Sequence, residues 1–112
     1  MNAPYVQQLS ADVTVAPQLD PDAMAWAAQA GFKSVINNRP DFEAGPDQPT
    51  SAQMEQAAKA AGLAYAYLPV DPSVQTPQEI ARFAQLLKDM PKPVLAFCRS
   101  GNRSTRLYKA TL

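Results

Sequence analysis

The sequence holds no histidine, a single cysteine and only four glycines among 112 residues, and its ten basic and ten acidic side chains cancel. Each shortage excludes something. One thiol cannot close an internal disulfide, and without imidazole there is neither the usual nitrogen ligand of a metal site nor a histidine partner for a nucleophile. We therefore expect no metal and no cofactor. Zero net charge gives no long-range field to recruit nucleic acid or an anionic membrane surface, so any basic character must be local. No apolar run approaches the roughly 20 residues that span a bilayer, and Met1 to Ser10 shows no basic segment followed by an apolar one. The expectation is a cytoplasmic protein, in a reducing compartment where a free thiol survives, with neither nucleic acid nor membrane as partner.

Proline is plentiful by contrast, eleven in all. Most of them stand between periodic segments (Pro40, Pro46, Pro49, Pro69, Pro72, Pro77, Pro91, Pro93), which suits firm loop punctuation better than disorder. The length suffices for one core, and no repeat, low-complexity tract or internal boundary is visible, so residues 1–112 read as one domain.

Along the chain, Val13 to Ala16 is a short strand. Asp20-Pro21-Asp22 then starts a helix, with Asp20 as N-cap and Pro21 at the first helical position, running to about Ala30 before Gly31. Met24, Ala27 and Ala28 give that helix a mild apolar face. Trp26 flanks it, as core or cover in one reading and as a substrate stacker in the other. Phe32 to Asn37 is a second strand, entering a polar loop of Asn37-Asn38-Arg39-Pro40-Asp41-Phe42-Glu43. Thr50 and Gln53 form a capping box, opening an alanine-rich helix to Ala61 that Gly62 ends. Leu63 to Leu68 alternates enough to be a third strand with one covered face, Tyr65 and Tyr67 serving as packing residues. A second capping box at Thr76-Pro77-Gln78-Glu79 starts a helix to about Lys88, with the apolar stripe Ile80, Phe83, Ala84, Leu86 and Leu87.

Strands separated by capped helices argue for βαβ units. The expected fold is α/β, a mainly parallel sheet of four or five strands flanked by helices. In such sheets ligands bind at the carboxyl ends of the strands, which makes Asn38, Arg39 and Asp41 candidates for the rim of a site. Arg39 has an alternative role, pairing with a carboxylate to brace its loop.

The stretch that carries chemistry is Pro93-Val94-Leu95-Ala96-Phe97-Cys98-Arg99-Ser100-Gly101-Asn102-Arg103-Ser104-Thr105. An apolar strand meets the only cysteine, then a glycine-containing turn, then a helix from Ser104 that is still running at Leu112. Stopping about two turns into that helix, the chain reads as part of a longer natural protein. The first turn of a helix offers unpaired N–H groups and a positive dipole end. A thiol at that mouth, flanked by Arg99 and Arg103, is set among groups that favour the thiolate. The alternative is that Cys98 is simply a small buried hydrophobe.

Cys-Arg-Ser-Gly-Asn-Arg-Ser resembles the active-site loop of single-domain rhodaneses, sulfurtransferases that carry sulfur as a cysteine persulfide. Protein tyrosine phosphatases have a related loop with five residues between Cys and Arg, where this chain has four, and usually a His at the position of Phe97. More broadly, Gly31 to Asp41, Tyr67-Leu68-Pro69-Val70 and Cys98 to Ser104 come in the order of a bacterial family of phosphatase-like domains. Those domains are found alone or fused to metallo-β-lactamase-like hydrolases of sulfide metabolism. Residues 8 to 112 are similar to it, which implies a protein-tyrosine-phosphatase-like fold of the dual-specificity type carrying a rhodanese-length loop.

That resemblance assigns Cys98 as nucleophile and the amides from Arg99 through Ser100, Gly101 and Asn102 to Arg103 as an anion cradle. Arg103 aims its guanidinium at the anion, and Ser104 donates its hydroxyl to the thiolate. Asp71 falls where phosphatase relatives carry a general acid, although Asp71-Pro72 also fits a turn. Three readings follow. In the first, Cys98 takes sulfane sulfur from a small anionic donor and passes it to a thiol acceptor. In the second, it takes a phosphoryl group, with Asp71 protonating the leaving oxygen. In the third, the domain is a non-catalytic persulfide carrier or anion-binding module for a partner hydrolase of the metallo-β-lactamase-like kind.

Overall fold

A computed structural model describes residues 4–112; of the Met1–Ser10 segment, residues 1–3 lie outside it. The elements in chain order are β1 (Gln7–Gln8), β2 (Val13–Ala16), α1 (Ala23–Gln29), β3 (Ser34–Asn37), α2 (Ser51–Ala60), β4 (Ala64–Tyr67), α3 (Pro77–Asp89), β5 (Val94–Phe97) and α4 (Asn102–Ala110). One sheet of five strands in the order β1-β2-β5-β3-β4 joins them, parallel except for the antiparallel β1 edge. The expected mainly parallel α/β sheet flanked by helices is what forms.

Burial explains the strand sequences. Every residue of β2, β3 and β5 is buried, because these central strands are covered on both faces and so read as near-continuous apolar runs. At the far edge, β4 keeps only partial cover and alternates Ala and Tyr. One core lies under α1 and α2, built on Met24, Met54, Val35, Leu95 and Phe97, with Trp26 covering its flank beside Phe32. The other lies under α3 and α4, where Phe83 and Leu107 pack on Val15, Ile36 and Ala96. Completely burying a side chain of the size of Phe83 contributes roughly 1.5–3 kcal/mol.

Both capping boxes form. The Thr50 and Thr76 hydroxyls accept from the amides of Gln53 and Glu79, whose side chains return the bond. Three boundaries differ from expectation. Strand β1 is two exposed residues with no periodic pattern, held only by pairing with Val15 and Thr14, so nothing local announces it. The first helix begins at Ala23: Asp20 Oδ1 does accept the Ala23 amide at 3.0 Å, but Pro21 and Asp22 form a turn ahead of the helix. The last helix starts at Asn102 instead of Ser104 and closes at Ala110, where the Thr111 hydroxyl donates to the Tyr108 carbonyl.

Candidate active site

The parallel register brings the carboxyl ends of β2, β5, β3 and β4 level, with Ala16 and Asn37 both opposite Phe97 and Tyr67 opposite Asn37. Cys98 is the next residue after that line and is 1% exposed. Its amide donates to the Ala16 carbonyl at 3.4 Å, and the Gln18 amide donates to Arg99 O at 3.1 Å, tying the loop to the end of β2. The loop then folds back on its own thiol: the Gly101 amide donates to Cys98 Sγ at 3.1 Å.

Gly101 does this from the left-handed region, φ 93°, as the residue that caps α4. A β-carbon there would be strained by that φ and would sit 3.5 Å from the Ala16 carbonyl carbon. Of the five amides assigned to the anion, two have partners within the loop: Gly101 on the sulfur, and Asn102 on the Ser100 hydroxyl at 3.3 Å.

Arg103 is the most constrained cation, 5% exposed. Its Nη1 donates to the backbone oxygens of Asn38 (3.4 Å) and Val70 (3.1 Å) and to Glu43 Oε2 (3.1 Å), while Nη2 reaches Glu43 Oε1 (3.1 Å). Among the described residues, Arg103 Nε is the one buried side-chain nitrogen or oxygen without a partner. A buried orphan donor is costly unless something accepts from it, and this donor belongs to a side chain lining the same cavity as Cys98.

Asn38 organises the ground behind the loop. Fully buried, it donates from its amide to Phe97 O (2.8 Å) and from Nδ2 to Leu68 O (3.0 Å), and its Oδ1 accepts from the Ser104 hydroxyl (2.8 Å). Two expectations are corrected here. Asn38 is not on the rim but beneath it, because its side chain bridges the ends of β4 and α4. The Ser104 hydroxyl is directed to Asn38 Oδ1, not to the thiolate.

Glu43 was not singled out by any local signal, yet it joins the two inner arginines. Arg39 Nε donates to Glu43 Oε1 at 2.9 Å, in the bracing role, while Arg39 Nη1 donates to Gln18 Oε1 at 3.2 Å. Desolvation raises the Glu43 pKa, but hydrogen bonds from Arg103 and Arg39 and their charges outweigh it, leaving the carboxyl below its ordinary value. Asp41 braces the same loop, its Oδ1 accepting the Ser51 amide at 2.7 Å and its own amide donating to the Tyr67 hydroxyl at 2.8 Å. The only available sign of Glu43 was a four-residue spacing from Arg39. In a loop, that spacing carries no helical meaning.

A cavity of about 470 Å³ opens over the thiol. The structure brings Cys98, Arg99, Ser100, Asn102, Arg103 and Arg39 to its wall, together with Glu43 and Arg106. Gly101, Ser104 and Asn38 stand behind it. Asp71 is exposed, spends Oδ1 on the Ser73 amide at 2.7 Å in a tight turn, and is not among the lining residues, although Pro72 is. Arg106, on the same face of α4 as Arg103 three residues earlier, donates to Pro72 O at 2.7 Å.

A parallel sheet ending in a thiol, a glycine turn, a helix N-terminus and a buried arginine defines a phosphatase-like α/β domain. In fold the chain resembles a structure of kinase-associated phosphatase, which aligns with TM-score 0.75 at 10% identity, covering 98% of this chain and 73% of that one. More specifically, the family model described as "Beta-lactamase hydrolase-like protein, phosphatase-like domain" matches residues 6–111, and the chain belongs to that family. A beta-lactamase hydrolase-like protein of Agrobacterium fabrum is 44% identical over 78 residues, 70% of this chain but only 18% of the relative's length. A Neisseria meningitidis protein provisionally described as a phosphatase superposes with TM-score 0.80 at 33% identity, covering 91% of this chain and 72% of that one.

Proposed function

We propose that the domain is a cysteine-dependent phosphatase-type hydrolase, with Cys98 as nucleophile and Arg103 as the cation that stabilises the transferring phosphoryl group. The observation that carries this reading is the pairing of a loop amide on Cys98 Sγ with an Arg103 whose Nε has no partner inside the protein. Asn38 O, Val70 O and Glu43 hold the other nitrogens, so the guanidinium is set before a substrate arrives. Preorganised charge of this kind costs no reorganisation during reaction. The phosphatase-like family and fold support the same direction.

In this account the Cys98 thiolate attacks phosphorus, the Sγ–P bond forms as the P–O bond to the leaving group breaks, and water then cleaves the phosphocysteine. A second reading is favoured by one specific observation, the four residues between Cys98 and Arg103. There the thiolate attacks the outer sulfur of a small anionic donor and hands the sulfane sulfur to a thiol acceptor.

Parallel assays of phosphate release from p-nitrophenyl phosphate and of sulfur transfer from thiosulfate, each with wild type and Cys98→Ser, test the two. We expect phosphate release that falls by on the order of 10⁴ or more in the variant. Cys98-dependent sulfur transfer with no phosphate release would replace the first reading with the second.

A further inference from the structure

Of the four arginines on the cavity wall, only two are paired with acid. Glu43 bridges Arg39 and Arg103, the inner pair. Among the described residues, Arg99 and Arg106 form no ion pair; both are exposed, on the same cavity as the thiol. The site therefore has an inner place for one anionic group, at Cys98 and the orphan Arg103 Nε, and an outer pair of uncompensated guanidinium groups.

Chemistry at the leaving group points the same way. Protonating an alkoxide as it leaves requires a general acid within reach, and the cavity wall holds no histidine, lysine or tyrosine to serve as one. The one carboxyl on the cavity wall is Glu43, which two arginines keep ionised, and Asp71 is turned onto Ser73 outside the lining. No aromatic side chain lines the cavity to pack against a phenyl ring. A leaving group that departs without a proton must be weakly basic, and one that is itself an anion is stabilised by cations at the mouth.

Resting on the hydrolase reading, we propose that the substrate is a phosphoanhydride, with its terminal phosphate in the Cys98 loop and its second phosphate held by Arg99 and Arg106. The thiolate attacks the terminal phosphorus and the Sγ–P bond forms. The bridging P–O bond breaks, and its electron pair leaves on the oxygen of the second phosphate, which departs as an anion against Arg99 and Arg106. Water then attacks the phosphocysteine, the S–P bond returns its pair to sulfur as the thiolate, and both of the water's protons leave with orthophosphate. Arg99 and Arg106 replace the general acid by charge.

The test compares kcat/KM on inorganic pyrophosphate, glycerol phosphate and p-nitrophenyl phosphate, for wild type and for the Arg99→Ala/Arg106→Ala double variant. We expect pyrophosphate to exceed glycerol phosphate by about 100-fold or more, the size of a missing general acid. In the double variant the ratio of pyrophosphate to p-nitrophenyl phosphate should drop by about 10-fold or more. Both replaced side chains are exposed, so circular dichroism should report an intact fold. Cys98-dependent release from p-nitrophenyl phosphate with no preference for pyrophosphate, or a ratio the double variant leaves unmoved, overturns the anhydride inference and leaves the hydrolase reading standing. Failure of all three substrates overturns both.

Discussion

Two loops at the carboxyl end of the sheet carry the residues a phosphatase-like domain would use, and they are built in opposite ways. The β5–α4 loop is tied down at every turn: Cys98 and Arg99 to the end of β2, Gly101 to the thiol, Ser104 to Asn38, and Arg103 to three residues of the β3–α2 and β4–α3 loops. The β4–α3 loop holds Asp71 in a turn of its own, exposed, with Pro72 and Gln75 reaching across through single hydrogen bonds to Arg106 and the Arg103 carbonyl. Geometry that must be accurate to fractions of an ångström belongs in the first environment. The proposed chemistry accordingly rests on Cys98 and Arg103, while Asp71 stands in a turn outside the cavity lining.

The largest effect is expected where the fixed loop loses its cation. Arg103→Lys keeps one charge but cannot serve Asn38 O, Val70 O, both Glu43 oxygens and an anion together. Turnover should fall by about a hundredfold or more, measured as kcat/KM. A loss under about threefold would mean that the buried guanidinium is structural only.

Next comes Asn38→Ala, which strands the Ser104 hydroxyl and the Leu68 carbonyl without touching the cavity. The expected cost is about 2–3 kcal/mol in urea unfolding, together with a lower kcat, because Ser104, which follows Arg103 at the start of α4, loses its anchor while the Asn38 carbonyl that Arg103 uses remains. Asn38→Asp keeps the acceptor for Ser104 and should recover part of the loss.

On the loose loop, Asp71→Asn should change kcat/KM on p-nitrophenyl phosphate by less than about threefold, where a working general acid would cost on the order of 10² or more. A large loss would restore Asp71 to the mechanism.

The smallest effect concerns Glu43. Its folded pKa lies below the unfolded one, so its contribution is present above the unfolded carboxylate range near pH ~4.3 and is lost as pH falls through the folded value. Urea midpoints between about pH 5 and about pH 3 should therefore show a Glu43-dependent drop worth less than about 1 kcal/mol, absent in Glu43→Gln.

Why some of this was readable beforehand and some was not follows from sequence separation. Capping at Thr50 and Thr76 and the left-handed turn at Gly101 are contests among neighbouring residues, so the sequence states them directly. Likewise the buried strands announce themselves as apolar runs. The pairing of Arg103 with Glu43, 60 residues apart, and of Ser104 with Asn38, 66 apart, depends on β5 inserting between β2 and β3. Nothing in the local composition of either partner encodes that. Hence Asn38 was expected on the rim though it lies beneath it, and Glu43 passed as one more polar loop residue. Strand β1 escaped for a different reason: two glutamines have no apolar alternation to display.

A phosphocysteine at Cys98 would be seen most directly in the intact mass of the protein quenched during turnover of pyrophosphate or p-nitrophenyl phosphate, beside Cys98→Ser. The wild type alone should gain one phosphoryl group, mapped to Cys98. A gain of one sulfur from thiosulfate, with no phosphoryl adduct from either phosphate, would contradict it and make the same fixed loop a carrier of persulfide.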